Sequence, residues 1–469
     1  MKRSSLALFI AAALGGCATL PEPHALPRPK PADAYAAAVS FAAPAAVWPA
    51  DAWWKDYRDP QLDALIAEAL DGSPTMAVAK ARLDRARSNA QIAGAATLPQ
   101  VTAASSITEQ KQSRNYLTPP SATPEGWNDY GRATLDFSWE LDFWGKNRAA
   151  LAAATSEADA ARADEAQSRI TLATSIASAY AELARLHAAL DTATAARDVR
   201  AKTAELFRER YENGLETLGS VRSAQSRRAA AEADVVSLTE QLGLQRNRIA
   251  ALVGAGPDRG LKIVAPSVDL TRTFALPSDI PAQLLGRRPD IVAARLRAEA
   301  AGKRIHQAKA AFYPNVNLSA FIGVQALQLN NLGKSGSDIG SIGPAISLPI
   351  FDGGRLRGQV RGAEADYAEA VANYDRAVIQ ALQDVADAAT SQKLLGAQIA
   401  RTDESVEAAR QAWQIQGNRY NGGLATYLDV LSAEETLLSS LRTQADLHSR
   451  SLALDVALVR ALGGGYTNP

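Results

Sequence analysis

The chain has 469 residues, 50 Lys and Arg against 50 Asp and Glu, and a single Cys. Balanced charge leaves no electrostatic footprint for a nucleic-acid partner, and one Cys excludes an internal disulfide. The length could hold two or three ordinary domains, but an internal duplication and the lack of any soluble-enzyme motif argue for one elongated body.

In chain order, Lys2-Arg3, the apolar run Leu6 to Leu14 and the small residues Gly15 and Gly16 read as a secretory signal over residues 1–16, too short to span a bilayer. Leu14-Gly15-Gly16-Cys17 resembles the bacterial lipobox, which makes Cys17 the expected site of a covalent lipid. In lipoproteins with that motif, a residue other than Asp at the place of Ala18 goes with sorting to the outer membrane. Loss of residues 1–16 removes Lys2 and Arg3, leaving 48 basic against 50 acidic residues and a balance of −2. Residues 17–50 carry Pro21, Pro23, Pro27, Pro29 and Pro31 and are expected to form an extended, lipidated tether.

The body repeats. Pro74, Ala79, Arg82, Ala86, Ala93, Pro99 and Val101 match Pro289, Ala294, Arg297, Ala301, Ala308, Pro314 and Val316, a shift of 289 − 74 = 215. Further on, Arg210 to Thr217 matches Arg419 to Thr426, and Val221, Ser223 and Ala224 match Val430, Ser432 and Ala433, a shift of 419 − 210 = 209. The expected repeats are 51–260, with a β-hairpin near 98–144, and 261–469, with a hairpin near 313–351.

Each hairpin shows a period of two. Ala133, Leu135, Phe137, Trp139, Leu141 and Phe143 alternate with Thr134, Asp136, Ser138, Glu140 and Asp142; Ile342, Pro344, Ile346, Leu348 and Ile350 alternate with Ser341, Gly343, Ala345 and Ser347. Val316 to Val324 alternates too, although Phe321 interrupts its polar face, and Val101 to Glu109 is only a weak strand. The pattern fits transmembrane strands with lipid on one face and a wet lumen on the other, and equally a half-buried sheet. Aromatic residues near the strand ends favour the membrane: Tyr116, Trp127 and Tyr130 at one, Phe143, Trp144, Phe312, Tyr313 and Phe351 at the other. Four strands in hydrocarbon would leave bare edges, so closure needs more copies. Three copies supply about twelve strands and a wide pore, two supply about eight and a filled barrel; the small lumen-facing residues favour three.

The stretches Lys146 to Tyr211 and Arg355 to Tyr420 lack proline and would each reach roughly 100 Å as continuous helix. Their charges exclude a membrane span. Small apolar positions such as Ala173, Ile176, Ala177, Tyr180, Leu183, Ala184 and Leu190 fit helices packed side by side. Each long helix meets a Tyr-x-x-Gly-Leu turn and returns as a shorter one, Val221 to Val253 or Val430 to Leu462. Pro74 to Ala96 and Pro289 to Ala311 complete each column. Equal helix and strand counts let a helical barrel continue a β-barrel, with Pro99 and Pro314 at the switch.

From Cys17 to about Gly464 the chain resembles the outer-membrane factors of the TolC type, specifically the lipidated subgroup that includes OprM and the NodT-like proteins. The resemblance rests on the lipobox, Trp53-Trp54, Asp59-Pro60-Gln61-Leu62-Asp63-Ala64-Leu65-Ile66, Leu98-Pro99-Gln100-Val101, Tyr313-Pro314-Asn315-Val316, Trp139-Glu140-Leu141-Asp142-Phe143-Trp144-Gly145, Leu348-Pro349-Ile350-Phe351-Asp352-Gly353-Gly354 and both turns. It implies a mixed α/β membrane channel-tunnel: a trimeric 12-stranded β-barrel, four strands per chain, continued by a long α-helical barrel. It further implies an outer-membrane exit duct of a tripartite efflux pump, joined through a periplasmic adaptor to an inner-membrane transporter of the RND class. A duct for type I protein secretion and, in a different class, a coiled-coil structural lipoprotein are the alternatives.

The turns Glu212 to Gly219 and Asn421 to Leu428 are exposed tips. Tyr211, Gly214, Leu215, Thr217, Gly423, Leu424 and Thr426 are expected to dock the adaptor, with tight reversal alone as the simpler reading of the glycines. The resemblance places Tyr420, Leu428 and Asp429 at the periplasmic aperture, where three Asp429 would form an acidic ring; Ser432 stands where the family has a second acidic position. Asp429 also begins a helix, and Ser432-Ala433-Glu434-Glu435 reads as a capping box. His24, His187, His306 and His448 have no metal-ligand spacing. No nucleophile elbow or phosphate loop occurs, so neither an enzyme nor a cofactor beyond the Cys17 lipid is expected.

Overall fold

A computed structural model describes residues 25–31, 34–37, 39–115, 119–268, 275–277 and 279–467. The expected signal segment 1–16, Cys17, His24 and Tyr116 lie outside these residues. The elements are β1 (Ala45–Ala46), α1 (Pro60–Gly72), α2 (Pro74–Ala95), β2 (Gln100–Lys111), β3 (Trp127–Glu140), α3 (Lys146–Glu212), α4 (Leu218–Val253), α5 (Pro257–Leu261), β4 (Leu276–Pro277), α6 (Ile280–Arg287), α7 (Pro289–Ala310), β5 (Asn315–Leu327), β6 (Asp338–Ser347), α8 (Arg355–Asn421) and α9 (Tyr427–Ala461). Two compact units cut across the repeats: one holds 83–161 and 294–374, the other 30–82, 162–293 and 375–469. Each of α2, α3, α7 and α8 contributes residues to both. No helix among the described residues is long and apolar enough to cross a membrane.

The first unit contains an antiparallel sheet in the order β2-β3-β5-β6, so both hairpins join through β3 and β5. The register separates the chemistry by face. One face carries the rows Val101–Phe137–Ala320–Ile342 and Ala103–Leu135–Ile322–Gly340. The other carries Gln100–Ser138–Ser319–Gly343 and Thr102–Asp136–Phe321–Ser341. Val101, Ile322, Ile342 and Ile346 are each about two thirds exposed or more (67%, 66%, 77% and 68%), so the apolar face has no cover among the described residues.

Strand ends depart from the alternation. β3 begins six residues before Ala133 and stops at Glu140, although Leu141 N–H still donates to Val316 O (2.8 Å). Beyond it, Asp142 accepts from Arg148 N–H (2.8 Å) at the start of α3, which turns the chain away from the ladder. β6 stops at Ser347, short of Ile350, opposite Asn315, the first residue of its partner β5. The segment expected to be weak, β2, is a full strand of 12 residues, held by backbone pairing with β3 that side-chain alternation does not report. At the helix–strand switches Trp139 Nε1 donates to Thr97 O (3.1 Å) and Trp144 Nε1 to Pro314 O (2.9 Å), with Trp144 stacked on Tyr313 at 4.7 Å. Phe143 and Phe351 are exposed, but Phe312 is buried against Leu356 and Val360 and is no part of an aromatic girdle.

The second unit is built on α1. Its N-cap Asp59 accepts from Gln61 N–H (2.9 Å) and Leu62 N–H (3.2 Å). The same buried carboxylate accepts from Tyr180 Oη–H (2.8 Å) and Ser267 N–H (2.8 Å), so one side chain both starts the helix and ties it to α3. Burial pushes the Tyr180 hydroxyl well above its ordinary pKa. Trp53, Trp54, Tyr57, Leu62, Leu65 and Ile66 pack on Ile176, Ala177, Tyr180 and Leu183 of α3, with Ile249 and Val456 from α4 and α9. The stretch 17–50, expected to be an extended tether, is bonded to the body in its described part: Lys30 N–H donates to Asp375 Oδ1 (3.0 Å), and β1 pairs parallel with β4.

Candidate functional site

The two tips share one backbone solution. After α3, Gly214 adopts φ 73°, its N–H donates to Tyr211 O (2.9 Å) and Leu215 N–H donates to Arg210 O (2.8 Å). After α8, Gly423 adopts φ 73°, its N–H donates to Tyr420 O (3.0 Å) and Leu424 N–H donates to Arg419 O (2.8 Å). This is the Schellman closure, and only a residue without a Cβ takes that φ cheaply. Thr217 and Thr426 then cap the return helices. Tyr211, Gly214, Leu215, Thr217, Gly423, Leu424 and Thr426 are all exposed; Leu215 (67%) and Leu424 (74%) are bare apolar tips.

The capping box differs from the sequence expectation. Thr426, not Ser432, is the N-cap, because its extended backbone (φ −84°, ψ 158°) is where the helix begins. Asp429 closes the box: Thr426 N–H and Oγ1–H both donate to Asp429 Oδ2, at 2.8 and 2.7 Å. These two bonds hold the Asp429 carboxyl below the usual carboxylate range. Ser432 lies exposed one turn inside α9, and Glu434 is buried rather than capping.

Behind the turns the repeats interlock. Phe207 of α3, fully buried, meets the Tyr427 ring at 4.1 Å, Tyr427 meets Tyr420 at 5.7 Å, and the Arg210 guanidinium lies over Tyr420 at 5.3 Å. Burial pushes Tyr427 up to about 12 and raises Tyr420. Tyr420 Oη and Arg210 Nε are buried without a hydrogen-bond partner among the described residues. Deeper along the helices, Arg200 Nε reaches Glu434 Oε1 at 3.4 Å, and burial pushes the Glu434 carboxyl up. Arg227–Glu435 (2.5 Å) and Arg442–Asp234 (3.0 Å) tie α4 to α9.

The structure thus brings Tyr420 into a cluster, leaves Leu428, Asp429 and Ser432 on the surface, and adds Phe207, Tyr427 and Arg200, which the sequence reading did not single out, together with Arg210 and Glu434, which it placed only in a repeat motif and a capping box. A signal for three of them was present. At the shift of 209, Phe207 faces Gln416 in the alignment of the repeats, Tyr427 faces Leu218 and Glu434 faces Gln225; at these three positions the copies diverge and touch, whereas Arg210 and Tyr420 touch although Arg419 and Tyr211 match them. Among the described residues no group of three or more His, Cys, Asp or Glu could hold a metal.

The profile of the outer membrane efflux protein family matches residues 65–255 and 280–464. The multidrug resistance outer membrane protein MdtP of Escherichia coli is 32% identical over 426 residues, 89% of this chain and 87% of that protein. The fusaric acid resistance protein FusA of Burkholderia cepacia is 39% identical over 333 residues, 70% of this chain and 62% of its own length. The crystal structure of the outer membrane protein VceC from Vibrio cholerae superposes with a TM-score of 0.85 at 52% identity, covering 89% of this chain and all of the other. With most of both repeats inside the matched profile and a fold in common over 89% of its length, the chain belongs to the outer membrane efflux protein family.

Proposed function

We propose that three copies of this chain close a twelve-stranded barrel and act as the passive outer-membrane exit duct of a tripartite efflux pump. A periplasmic adaptor and an inner-membrane RND transporter are the partners. The observation that carries this is the sheet: β2 and β6 are its two edges, and they run in opposite senses. β6 of one copy can therefore pair antiparallel with β2 of the next, and a head-to-tail interface of this kind closes by rotation. Two copies would give eight strands, a size that side chains normally fill. Ser138, Ser319, Gly323 and Gly343 on the polar face are too small to do so.

The multidrug and fusaric acid resistance relatives favour small-molecule efflux over type I protein secretion. A structural coiled-coil lipoprotein gives no account of the apolar sheet face. Cys17 is the proposed acylation site, in keeping with the NodT-like lipidated subgroup, and its lipid adds attachment without building the barrel. Tyr420, Leu428, Asp429 and Ser432 are proposed to line the periplasmic aperture, and the two exposed turns to receive the adaptor.

Native mass of detergent-extracted protein tests the assembly. Cys17→Ser, exported with its signal removed, is expected to give three chains per particle. A folded monomer or a dimer overturns the barrel.

A further inference from the structure

Phe321, the residue that breaks the polar face of β5, is engaged. It sits in the row Thr102–Asp136–Phe321–Ser341, while Arg132 sits two rows away on the same face, opposite Gln325. The row between them is Thr134–Gly323. That row is low: glycine leaves nothing standing on β5, and Thr134 is buried with its hydroxyl donated to Asp136 Oδ2 (2.8 Å). Across this gap the Arg132 guanidinium lies over the Phe321 ring, 5.1 Å from its centroid. A guanidinium resting on a ring keeps its N–H edge for a planar anion. Arg132 makes no hydrogen bond and no ion pair among the described residues, and Asp136, the nearest carboxylate by register, already has a donor of its own. The result is an oriented cation with an open N–H fork beside an apolar ring, on the face opposite the exposed Leu135 and Ile322.

We propose that Arg132 and Phe321 form a contact site for aromatic carboxylates inside the barrel, repeated three times around its wall. The proposal rests on the barrel reading above, which makes this face the lumen. The carboxylate takes the guanidinium fork in a bidentate pair while the solute's ring covers the free side of Phe321. The site is wet and its contact weak, as a passage requires: cargo must leave as readily as it enters.

Benzoate is the probe, read by saturation-transfer difference NMR on detergent-solubilised trimers, a measurement that does not depend on the state of the aperture. The wild type should show saturable benzoate binding. Arg132→Gln should weaken it roughly fivefold, the upper end for a solvent-exposed ion pair, and Phe321→Leu should weaken it less. Equal binding by wild type and Arg132→Gln, or none by the wild type, overturns the site. Facing is tested separately in a Cys17→Ser background: in proteoliposomes, Arg132→Cys should react with a charged, membrane-impermeant thiol reagent and Leu135→Cys should not. The reverse pattern overturns the barrel reading itself, and the site with it.

Discussion

The turn at Gly214 and the turn at Gly423 have the same φ, the same pair of closing hydrogen bonds and a Thr cap on the returning helix. Their side chains differ. In the first, Thr217 Oγ1 accepts from Ser220 N–H (3.2 Å) and the carboxylate that takes the Thr217 N–H (3.0 Å) is Glu216, before the helix; in the second, Asp429 stands at the place equivalent to Ser220, 429 − 209 = 220, and completes a capping box from inside the helix. The ring of the second cap's neighbour, Tyr427, half-buried, packs on the first repeat's Phe207. The two turns thus share one backbone, and their side chains differ at the Phe207–Tyr427 contact and at the cap.

The largest effect should come from the contact between copies. Phe207→Ala is expected to cost about 3–5 kcal/mol, the range for emptying a fully buried aromatic site, whereas Gln416→Ala at the equivalent position should lower the melting temperature far less. Equal losses in circular-dichroism melts would show that the interlock is not what distinguishes the repeats.

Next is the Arg200–Glu434 pair. Removing one partner of a buried pair costs about 3 kcal/mol, so Arg200→Ala should be strongly destabilising at pH 8. Because burial raises the Glu434 pKa, the folded state holds this proton more readily than the unfolded chain does. Its contribution is complete below the ordinary carboxylate value and is lost as pH rises through the raised one. The cost of Arg200→Ala should therefore shrink at pH 5, and Glu434→Gln should flatten the dependence of stability on pH in that window. A cost independent of pH would refute the assignment.

The glycines should behave alike. Gly214→Ala and Gly423→Ala should each cost about 1–2 kcal/mol, the strain of a left-handed L-residue. Function should separate them from mere reversal: Gly214→Trp in an intact trimer should abolish crosslinking to the adaptor, and unchanged crosslinking would move the docking surface elsewhere.

Asp429→Ala is the smallest in stability and the most informative. The carboxyl is held below its usual range by Thr426, so its cap is intact above the ordinary carboxylate value and is lost as pH falls through the depressed one. A cap alone predicts a lower melting temperature at pH 7 with planar-bilayer conductance unchanged. Three Asp429 near the axis predict altered cation selectivity or resting conductance as well.

The sequence by itself determined the duplication, the long helices to within a residue at most of their ends and the existence of two hairpins, because these rest on local signals. Proline interrupts helix, glycine admits positive φ, and a period of two sorts residues onto faces. It could not determine that β2 is a full strand, since its ladder is made by β3. Nor could it place the cap of α9: Ser432-Ala433-Glu434-Glu435 reads as a capping box, but the extended backbone that starts the helix is at Thr426. Phe312 and Phe321 show the limit most clearly. Both are aromatic residues near or within a strand, yet one is buried under Leu356 and Val360 and the other carries Arg132 on its ring. The side chains that meet them lie more than 40 and nearly 200 residues away along the chain, and only the packed structure brings them together.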